Sequence, residues 1–304
     1  MIQTRYCETG ISSIPIFLTI NDFNRMKSIN INGTLIDLST PLVMGILNVT
    51  PDSFFLGSRK QSENDIISRC RQIIEEGGTI IDVGAQSTTP SSELLTAFEE
   101  AERLMPALKL IRSEFPDVII SVDTFYPDVA KQAVEEFGVN IINDVSGGQI
   151  DERMFPVVAD LNVPYILMHM RGVPQTMQTL TDYDDFIRDI LYYFSERKAK
   201  LNLLGVNDVI IDPGFGFSKT LSQNYELMAY LKYFHIFEEP ILVGISRKSM
   251  IYKLLGSTPE DSLNGTTVLN SVALLSGADI LRVHDVKEAV ECVKIIGKIA
   301  EFDK

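Results

Sequence analysis

Short apolar runs alternate with longer amphipathic segments from residue 41 to the end of the chain. Each run is apolar at nearly every position, whereas a strand with one solvent face alternates between apolar and polar residues. Continuous runs therefore predict strands that are buried on both faces, as in a parallel sheet. Eight such runs are present, at residues 42–49, 79–85, 118–123, 139–144, 163–170, 208–213, 240–246 and 278–285.

The segments between these runs have helical periodicity. In the first, Ile66, Cys70 and Ile73 share one helix face, Ser62 is placed to cap the N-terminus, and Gly77–Gly78 ends the helix. Seven more helices are predicted, at about 93–113, 128–137, 152–161, 183–204, 221–233, 260–276 and 286–300. Eight alternating units favour an α/β fold of the closed (β/α)8 type, a TIM barrel. An open doubly wound sheet is the alternative.

Residues 1–40 follow a different pattern. Stretches at 14–20, 28–33 and 34–38 predict short strands, and Asn32–Gly33 predicts a tight turn between the last two. We therefore divide the chain into a short N-terminal strand extension, residues 1–40, and a barrel, residues 41–304. No composition shift or low-complexity segment suggests a boundary inside the barrel.

The charge balance limits the partners of the chain. Acidic residues number 41 and basic residues 27, for a net charge of -14. Nucleic acid is therefore excluded as a main partner, because phosphate backbones are bound by basic surfaces. An anionic small substrate is still compatible with this composition if the cations are concentrated locally.

The compartment is suggested by three observations. The three cysteines, Cys7, Cys70 and Cys292, are far apart and lack metal-binding spacing, which predicts free thiols. The N-terminus does not have the pattern of a secretion signal, and no apolar run approaches the about 20 residues that cross a bilayer. We expect a cytoplasmic protein that does not enter membranes.

Polar residues follow every predicted strand of the barrel. Any one of them is ordinary, because the chain leaves the core there. Polar residues after all eight strands together indicate a functional site, because active sites of barrel enzymes lie at the C-terminal ends of the strands. The ring consists of Asn48, Gln86-Ser87-Thr88, Asp123, Asn143-Asp144, His169, Asp212, Ser246-Arg247-Lys248, and Arg282 with His284.

The residue types in this ring divide into two groups. Asp123, Asn143 and Asp212 suit the edge of a flat heterocycle, because a carboxylate accepts two parallel N–H bonds and an amide both donates and accepts. An isolated buried Asp is equally explained by a helix cap or an ion pair. Lys248, Arg282 and His284 follow the last two strands, where barrels commonly bind phosphate, and predict a diphosphate site.

Asn48 could supply one oxygen ligand to Mg2+ carried by such a diphosphate. Considered alone, it is an ordinary turn residue.

Six motifs in order strengthen this division. They are MGILNVTPDSF (44–54), SVDTF (121–125), INDVSGG (142–148), DPGFGF (212–217), GISRKSM (244–250) and LRVHD (281–285). With these motifs the chain resembles the dihydropteroate synthases, the folate-pathway family that sulfonamides inhibit, from about residue 30 to the end. The resemblance implies condensation of (7,8-dihydropterin-6-yl)methyl diphosphate with 4-aminobenzoate, Mg2+ as cofactor, and a homodimer.

The resemblance also implies residue roles. Pterin would be bound by Asp123, Asn143, Asp212 and Lys248, with Asp212 on its 2-amino and N3 edge. Arg282 and His284 would bind diphosphate, and Asn48 would contact Mg2+. The aminobenzoate would lie near Thr88, Pro90, Phe217 and Ser249. Asp123, Lys248, Arg282 and His284 would act in catalysis by positioning and charge stabilisation, without a covalent enzyme intermediate, and we expect Phe215 to pack under its loop.

Two loops depart from the family pattern. Thr89 and Ser91 stand where Arg and Gly are usual, and Leu56 stands where an acid is usual. Both departures remove charge from loops expected to close over the site, and Arg59 or Lys60 could compensate. Two alternatives therefore stay open: a methyltetrahydrofolate-binding methyltransferase of the same superfamily and a non-catalytic pterin-binding paralogue. The predicted cations argue against the methyltransferase, since its substrate carries no diphosphate.

Overall fold

The computed structural model describes residues 27–49, 59–86 and 94–302. Its first elements form the predicted hairpin, in which β1 (Ser28–Ile31) pairs antiparallel with β2 (Thr34–Asp37). Asn32 and Gly33 in the turn have positive φ angles of 51° and 83°. Two consecutive positive φ angles are what a two-residue type I′ turn requires. The strand predicted at 14–20 and Cys7 lie outside the described residues.

Eight parallel strands follow and form the barrel. Neighbours along the wall are β8, β7, β6, β5, β4, β3, β10 and β9. One parallel bridge between Ile211 and Ile241 joins β8 to β9 and closes the ring, which confirms the predicted closed barrel. The strands are β3 (Leu42–Asn48), β4 (Ile80–Gly84), β5 (Ile119–Asp123), β6 (Ile141–Asp144), β7 (Tyr165–Met168), β8 (Val209–Asp212), β9 (Leu242–Val243) and β10 (Ile280–Val283).

Helices surround this barrel. Those in the described ranges are α1 (Arg59–Glu75), α2 (Ala97–Glu114), α3 (Pro127–Phe137), α4 (Met154–Leu161), α5 (Phe186–Leu203), α6 (Leu221–Ala229), α7 (Ser249–Leu255), α8 (Leu263–Leu275) and α9 (Val286–Ala300). Two expectations were wrong. Helix α1 begins at Arg59, so Ser62 is not its N-cap. Helix α7, which ends at Gly256 in a left-handed conformation, was not predicted.

The hairpin closes one end of the barrel. Ile29, Ile31 and Leu38 are buried against apolar side chains near the starts of the barrel strands, such as Ile80 and Ile280. Burying an Ile or Leu side chain contributes roughly 1.5–3 kcal/mol. Among the described residues, the hairpin thus covers this end of the barrel interior, and the strand-end side chains lie at the opposite end.

Polar contacts fix the hairpin in this position. Lys27 forms a 2.8 Å ion pair with Asp279, and the Asn30 N–H donates to Oδ1 of Asp208 at 2.7 Å. Both carboxylates directly precede barrel strands, so the contacts link the extension to the barrel wall.

The main core lies between the barrel wall and the helices. Cys70 and Cys292 are buried there as free thiols, as predicted. No helix in the described ranges combines the length and apolarity needed to span a bilayer.

Candidate active site

Arg282 lies at the centre of the polar end of the barrel. Its Nε donates to Oδ2 of Asp82 at 2.6 Å, and its Nη2 donates to Oδ2 of Asp123 at 2.8 Å. Asn143 Nδ2 donates to the same Asp82 oxygen at 3.2 Å. Side chains from β4, β5, β6 and β10 thus converge inside the barrel, and the ring of strand-end residues is partly assembled as a single network.

The predicted role of Arg282 needs refinement. We expected it beside a diphosphate, whereas its Nε is occupied by the buried Asp82 carboxylate and its Nη2 by the partly buried Asp123 carboxylate. No described residue accepts a hydrogen bond from its Nη1, so this nitrogen and the second N–H of Nη2 are the donors that can meet an anion. Because Arg is a rigid planar fork, fixing two nitrogens also fixes the direction of the third.

Asp212 ends β8, and the backbone turns sharply after it. The Gly214 N–H donates to Oδ1 of Asp212 at 2.8 Å. Gly214 has φ 72°, and a Cβ there would lie 2.1 Å from the carbonyl oxygen of His169, so only glycine fits. Phe215 is fully buried, which confirms that it packs under the loop. Burial raises the pKa of Asp212, although the nearby Lys248 cation opposes this effect.

Lys248 faces the same pocket as Asp212. Its Nζ donates to the carbonyl of Phe215 and lies 4.6 Å from the centre of the Phe217 ring. Burial lowers the pKa of Lys248 to about 8, partly offset by the Asp212 carboxylate. Ser249 follows it as the first residue of α7. The structure thus groups Lys248 with Asp212 and Phe217.

Asp123 is a carboxyl with an unusual pKa. Burial raises its pKa to about 7, Arg282 counteracts this effect, and the neighbouring Asp82 and Asp144 carboxylates add to it. Asp123 therefore titrates near neutral pH, which is the range where an acidic group can change charge during catalysis.

A cavity of about 590 Å³ lies beside the ends of β3 and β10. Asn48, Arg69, Arg247 and His284 are among its lining residues, and Asn48 is exposed. Arg247 is paired with Asp285 at 2.6 Å. The cavity is lined by two arginines, Arg69 and Arg247, that we had not assigned to a substrate, and by four carboxylates, Asp65, Glu76, Asp285 and Glu288.

His284 does not supply the positive charge that we expected. Burial lowers its pKa to about 4, and the Arg282 and Arg247 cations contribute to the shift, so the imidazole is neutral at pH 7. Ser246 Oγ lies 3.1 Å from His284 Nδ1 and accepts the His284 backbone N–H. The serine hydroxyl can then donate to Nδ1, which leaves the imidazole proton on Nε2 as a donor for an anion.

Several predicted residues cannot be placed. Thr88 and Pro90, together with Leu56, Thr89 and Ser91, lie outside the described residues. The loop departures therefore stay untested, as does compensation by Arg59 or Lys60.

Our sequence reasoning missed three polar residues of this end of the barrel: Asp82, Arg69 and Lys219. Asp82 interrupts an apolar run, IIDVG, and an acid inside a strand buried on both faces is a usable signal. Lys219 closes the DPGFGFSK segment and is buried, which is rare for lysine. Arg69 lies on α1 and donates to the carbonyls of Ile46 and His284, which gives no local sequence signal.

Comparison with known proteins decides the family. The family model for pterin-binding enzymes matches residues 44–284. The chain belongs to this family. The dihydropteroate synthase of Escherichia coli is 43% identical over 266 residues, which cover 87% of this chain and 93% of the relative. The dihydropteroate synthase of Synechocystis is 41% identical over 256 residues, or 83% of this chain and 88% of the relative.

Solved structures agree with these relatives. The Yersinia pestis dihydropteroate synthase in a sulfonamide drug complex has a TM-score of 0.84 and 38% identity, and the match covers 90% of this chain and all of that one (100%). The Xanthomonas albilineans enzyme with 4-aminobenzoic acid has a TM-score of 0.82 and 33% identity, covering 91% and 99%. The resemblance to dihydropteroate synthases is confirmed, and the chain is a transferase of the pterin-methyl group in folate biosynthesis.

Proposed function

We propose that this chain joins (7,8-dihydropterin-6-yl)methyl diphosphate to 4-aminobenzoate, giving 7,8-dihydropteroate and diphosphate. The observation that carries the proposal is the convergence of Asp123, Asn143 and Arg282 in one network, with Asp212 and Lys248 at the same end of the barrel. Such a set recognises a flat heterocycle with several N–H groups and a carbonyl oxygen.

Each group in the pocket has a complementary part of the pterin. The Asp212 carboxylate accepts from the 2-amino and N3 edge, since two parallel N–H groups match its two oxygens. Lys248 is a donor and can meet a ring carbonyl or nitrogen. Asn143 contributes its free amide oxygen, because its NH2 group already donates to Asp82.

The diphosphate is proposed to occupy the cavity beside Asn48 and His284. Arg69 and Arg247 are the cations there, among four carboxylates of which Asp285 already pairs with Arg247. His284 Nε2–H provides a neutral donor, and Nη1 of Arg282 has no acceptor among the described residues. Mg2+ bound with the diphosphate would offset the acidic lining. The departing group is an anion, and donors aimed at its developing charge lower the barrier for its departure.

The donor chemistry of this cavity fits Mg2+ that arrives with substrate. No group of three or more acidic, His or Cys side chains suited to a metal was found in the described ranges. Asn48 offers one amide oxygen, and Mg2+ usually takes one or two protein oxygens together with phosphates and waters. When bound, Mg2+ would offset charge on the diphosphate.

The transfer breaks one bond and forms another. The bond between the pterin CH2 carbon and the diphosphate oxygen breaks, and its electron pair leaves with diphosphate. The ionised Asp123 stabilises positive charge on the pterin-methyl group. The aminobenzoate nitrogen then bonds to that carbon and loses a proton to solvent. Phe217 and Ser249 line the approach, and Thr88 and Pro90 are assigned to it by resemblance to the family.

A homodimer is also proposed. Helices α7, α8 and α9 expose a series of large apolar side chains to solvent: Leu254, Leu255, Leu263, Val268, Val272, Leu275, Ile295 and Ile299. Exposed apolar patches of this extent are typical of protein interfaces, and a second copy of the chain is the occupant that we propose. The buried free thiols Cys70 and Cys292 support a reducing, cytoplasmic location.

The test is diphosphate release by the purified chain with Mg2+ and both substrates, omitting each in turn. Release that requires all three is the expected result. Pterin binding without release would instead favour the non-catalytic paralogue, with failure in the loops that carry Thr89 and Leu56. The named relatives are synthases, which favours the synthase over the methyltransferase.

A further inference from the structure

Asp82 is a charged residue in an environment that disfavours charge. It lies in the middle of β4, between Ile81 and Val83, and is completely buried. Removing a carboxylate from water is costly unless donors compensate it. Neither the family motifs nor the substrate assignments above give this residue a role.

The donors that compensate Asp82 are themselves pocket residues. Its Oδ2 accepts from Arg282 Nε at 2.6 Å and from Asn143 Nδ2 at 3.2 Å. Its Oδ1 is buried without a partner in the described part of the chain. Asp82 thus contacts two groups proposed to serve the substrate, from the side away from the barrel mouth.

These contacts determine the orientation of Asn143. A carboxylate only accepts hydrogen bonds, so the Asn143 amide must turn its NH2 group toward Asp82. The amide oxygen is then left for the ligand, and no described residue donates to it. An amide without such a neighbour can rotate by half a turn and present NH2 instead, which a heterocycle N–H cannot use.

Asp82 also shares the Arg282 guanidinium with Asp123. The guanidinium is held between Asp82 and Asp123, at 2.6 and 2.8 Å. Without Asp82, Arg282 is free to pair fully with Asp123 and to reduce the negative charge available for the pterin-methyl group.

We propose that Asp82 is a positioning residue of the pterin pocket, which fixes the amide oxygen of Asn143 toward an N–H of the heterocycle and restrains Arg282. The inference deepens the proposed function and depends on it for the identity of the ligand.

The test compares Asp82→Ala and Asp82→Asn with a matched control, Ser121→Ala. Ser121 is buried, lies opposite Asp82 in the strand register, and is assigned no role. We expect Asp82→Ala to raise KM for the pterin diphosphate about tenfold or more, since polar groups lose a buried partner. KM for 4-aminobenzoate should change less than about twofold. Asp82→Asn, whose amide oxygen can still accept from both donors, should recover most of the pterin KM.

Two further readouts separate positioning from general stability. In a double-mutant cycle, Asp82→Ala and Asn143→Ala should be less than additive in pterin binding, because both remove the same interaction. In Asp82→Asn, the acid limb of kcat/KM should move to lower pH, since the Asp82 charge raises the pKa of Asp123. Ser121→Ala should change neither pterin binding nor the acid limb of kcat/KM.

The proposal is overturned if the cycle is additive, or if Asp82→Ala and Ser121→Ala have the same pterin KM. Should Asp82→Ala fail to fold by circular dichroism, an Asp82→Asn enzyme with an unshifted acid limb also contradicts it. Failure of the proposed function looks different, because the wild-type chain would then release no diphosphate. Calorimetric binding of dihydropterin to the same variants would still decide the role of Asp82.

Discussion

Nζ of Lys219 lies 3.0 Å from Nδ1 of His169, in the buried layer beneath the loop that follows β8. The same Nζ donates to the carbonyls of Gly214 and Phe217, each at 2.9 Å. Three contacts match the three hydrogens of an ammonium, although burial lowers the pKa of Lys219 well below its ordinary value. Lys219 therefore links the loop that carries Phe217 to His169, which follows β7.

Lys219→Met should weaken the aminobenzoate site and the fold together. Two carbonyls would lose a buried donor, at a cost of about 1–3 kcal/mol each. We expect a lower Tm and a several-fold higher KM for 4-aminobenzoate, measured by calorimetry and steady-state kinetics. Lys131→Met, which removes an exposed i,i+4 ion pair, is the control and should leave both unchanged. An unchanged Tm in Lys219→Met would contradict the role of Lys219 in holding the loop that carries Phe217.

Glu100 should reduce stability at alkaline pH. It is buried in α2, and burial raises its pKa to about 8 from an ordinary value of 4.5. The unfolded chain loses this proton at lower pH than the folded chain does, so stability falls as pH rises from about 4.5 to 8. Glu100→Gln should thus raise the free energy of unfolding by about 2–4 kcal/mol at pH 9 and converge with wild type near pH 4.5. The control is Glu102→Gln, on the exposed side of α2, and equal gains in both variants would refute the assignment.

The pH dependence of turnover should report Asp123. Because its pKa is raised to about 7 and the ionised form is needed, kcat/KM for the pterin diphosphate should fall about tenfold per pH unit below 7. Asp123→Asn should have low activity without this limb. A wild-type profile that stays flat between pH 5.5 and 7.5 would exclude Asp123 as the group that stabilises the pterin-methyl charge.

Asp212→Ala should lose pterin affinity. An unpaired heterocycle edge costs about 1–3 kcal/mol, or roughly fivefold to 150-fold in Kd. Isothermal calorimetry with dihydropterin measures this directly. Asp128→Ala, which removes an exposed carboxylate that pairs with Arg153, serves as the comparison. Equal affinity in the two variants would count against the assigned pterin orientation.

Val268→Glu should separate the proposed dimer. Val268 lies on α8 within the exposed apolar surface, and a charge buried at an interface without a partner is strongly unfavourable. Light scattering after size exclusion should give the mass of one chain. Leu203→Glu, at an exposed apolar position near the end of α5, should leave the mass of the wild type. A wild-type chain that is already monomeric would disprove the dimer.

The sequence was most informative where burial alone determines structure. The eight strands were predictable because an apolar run such as 208–213 is buried on both faces. Helix α7 was not, because it has only seven residues and begins inside the GISRKSM motif. Asp212 and Lys248 were found at strand ends, but the contact of Arg282 with Asp82 joins β10 to β4, and one sequence does not reveal which side chains meet across a barrel. The neutral state of His284 depends on burial and on two neighbouring arginines, and no local pattern encodes either.

The strand pairing in the barrel wall is shortest between β8 and β9. Strand β9 has two residues, and a single bridge, Ile211 to Ile241, joins it to β8. These are the strands that lead to Asp212 and to Lys248, so a pterin held by both residues would bridge β8 and β9. Bound substrate would hold the two strands together. Ligand binding should then stabilise the closed barrel. Backbone amides of β8 and β9 should exchange with solvent more slowly when the pocket is filled.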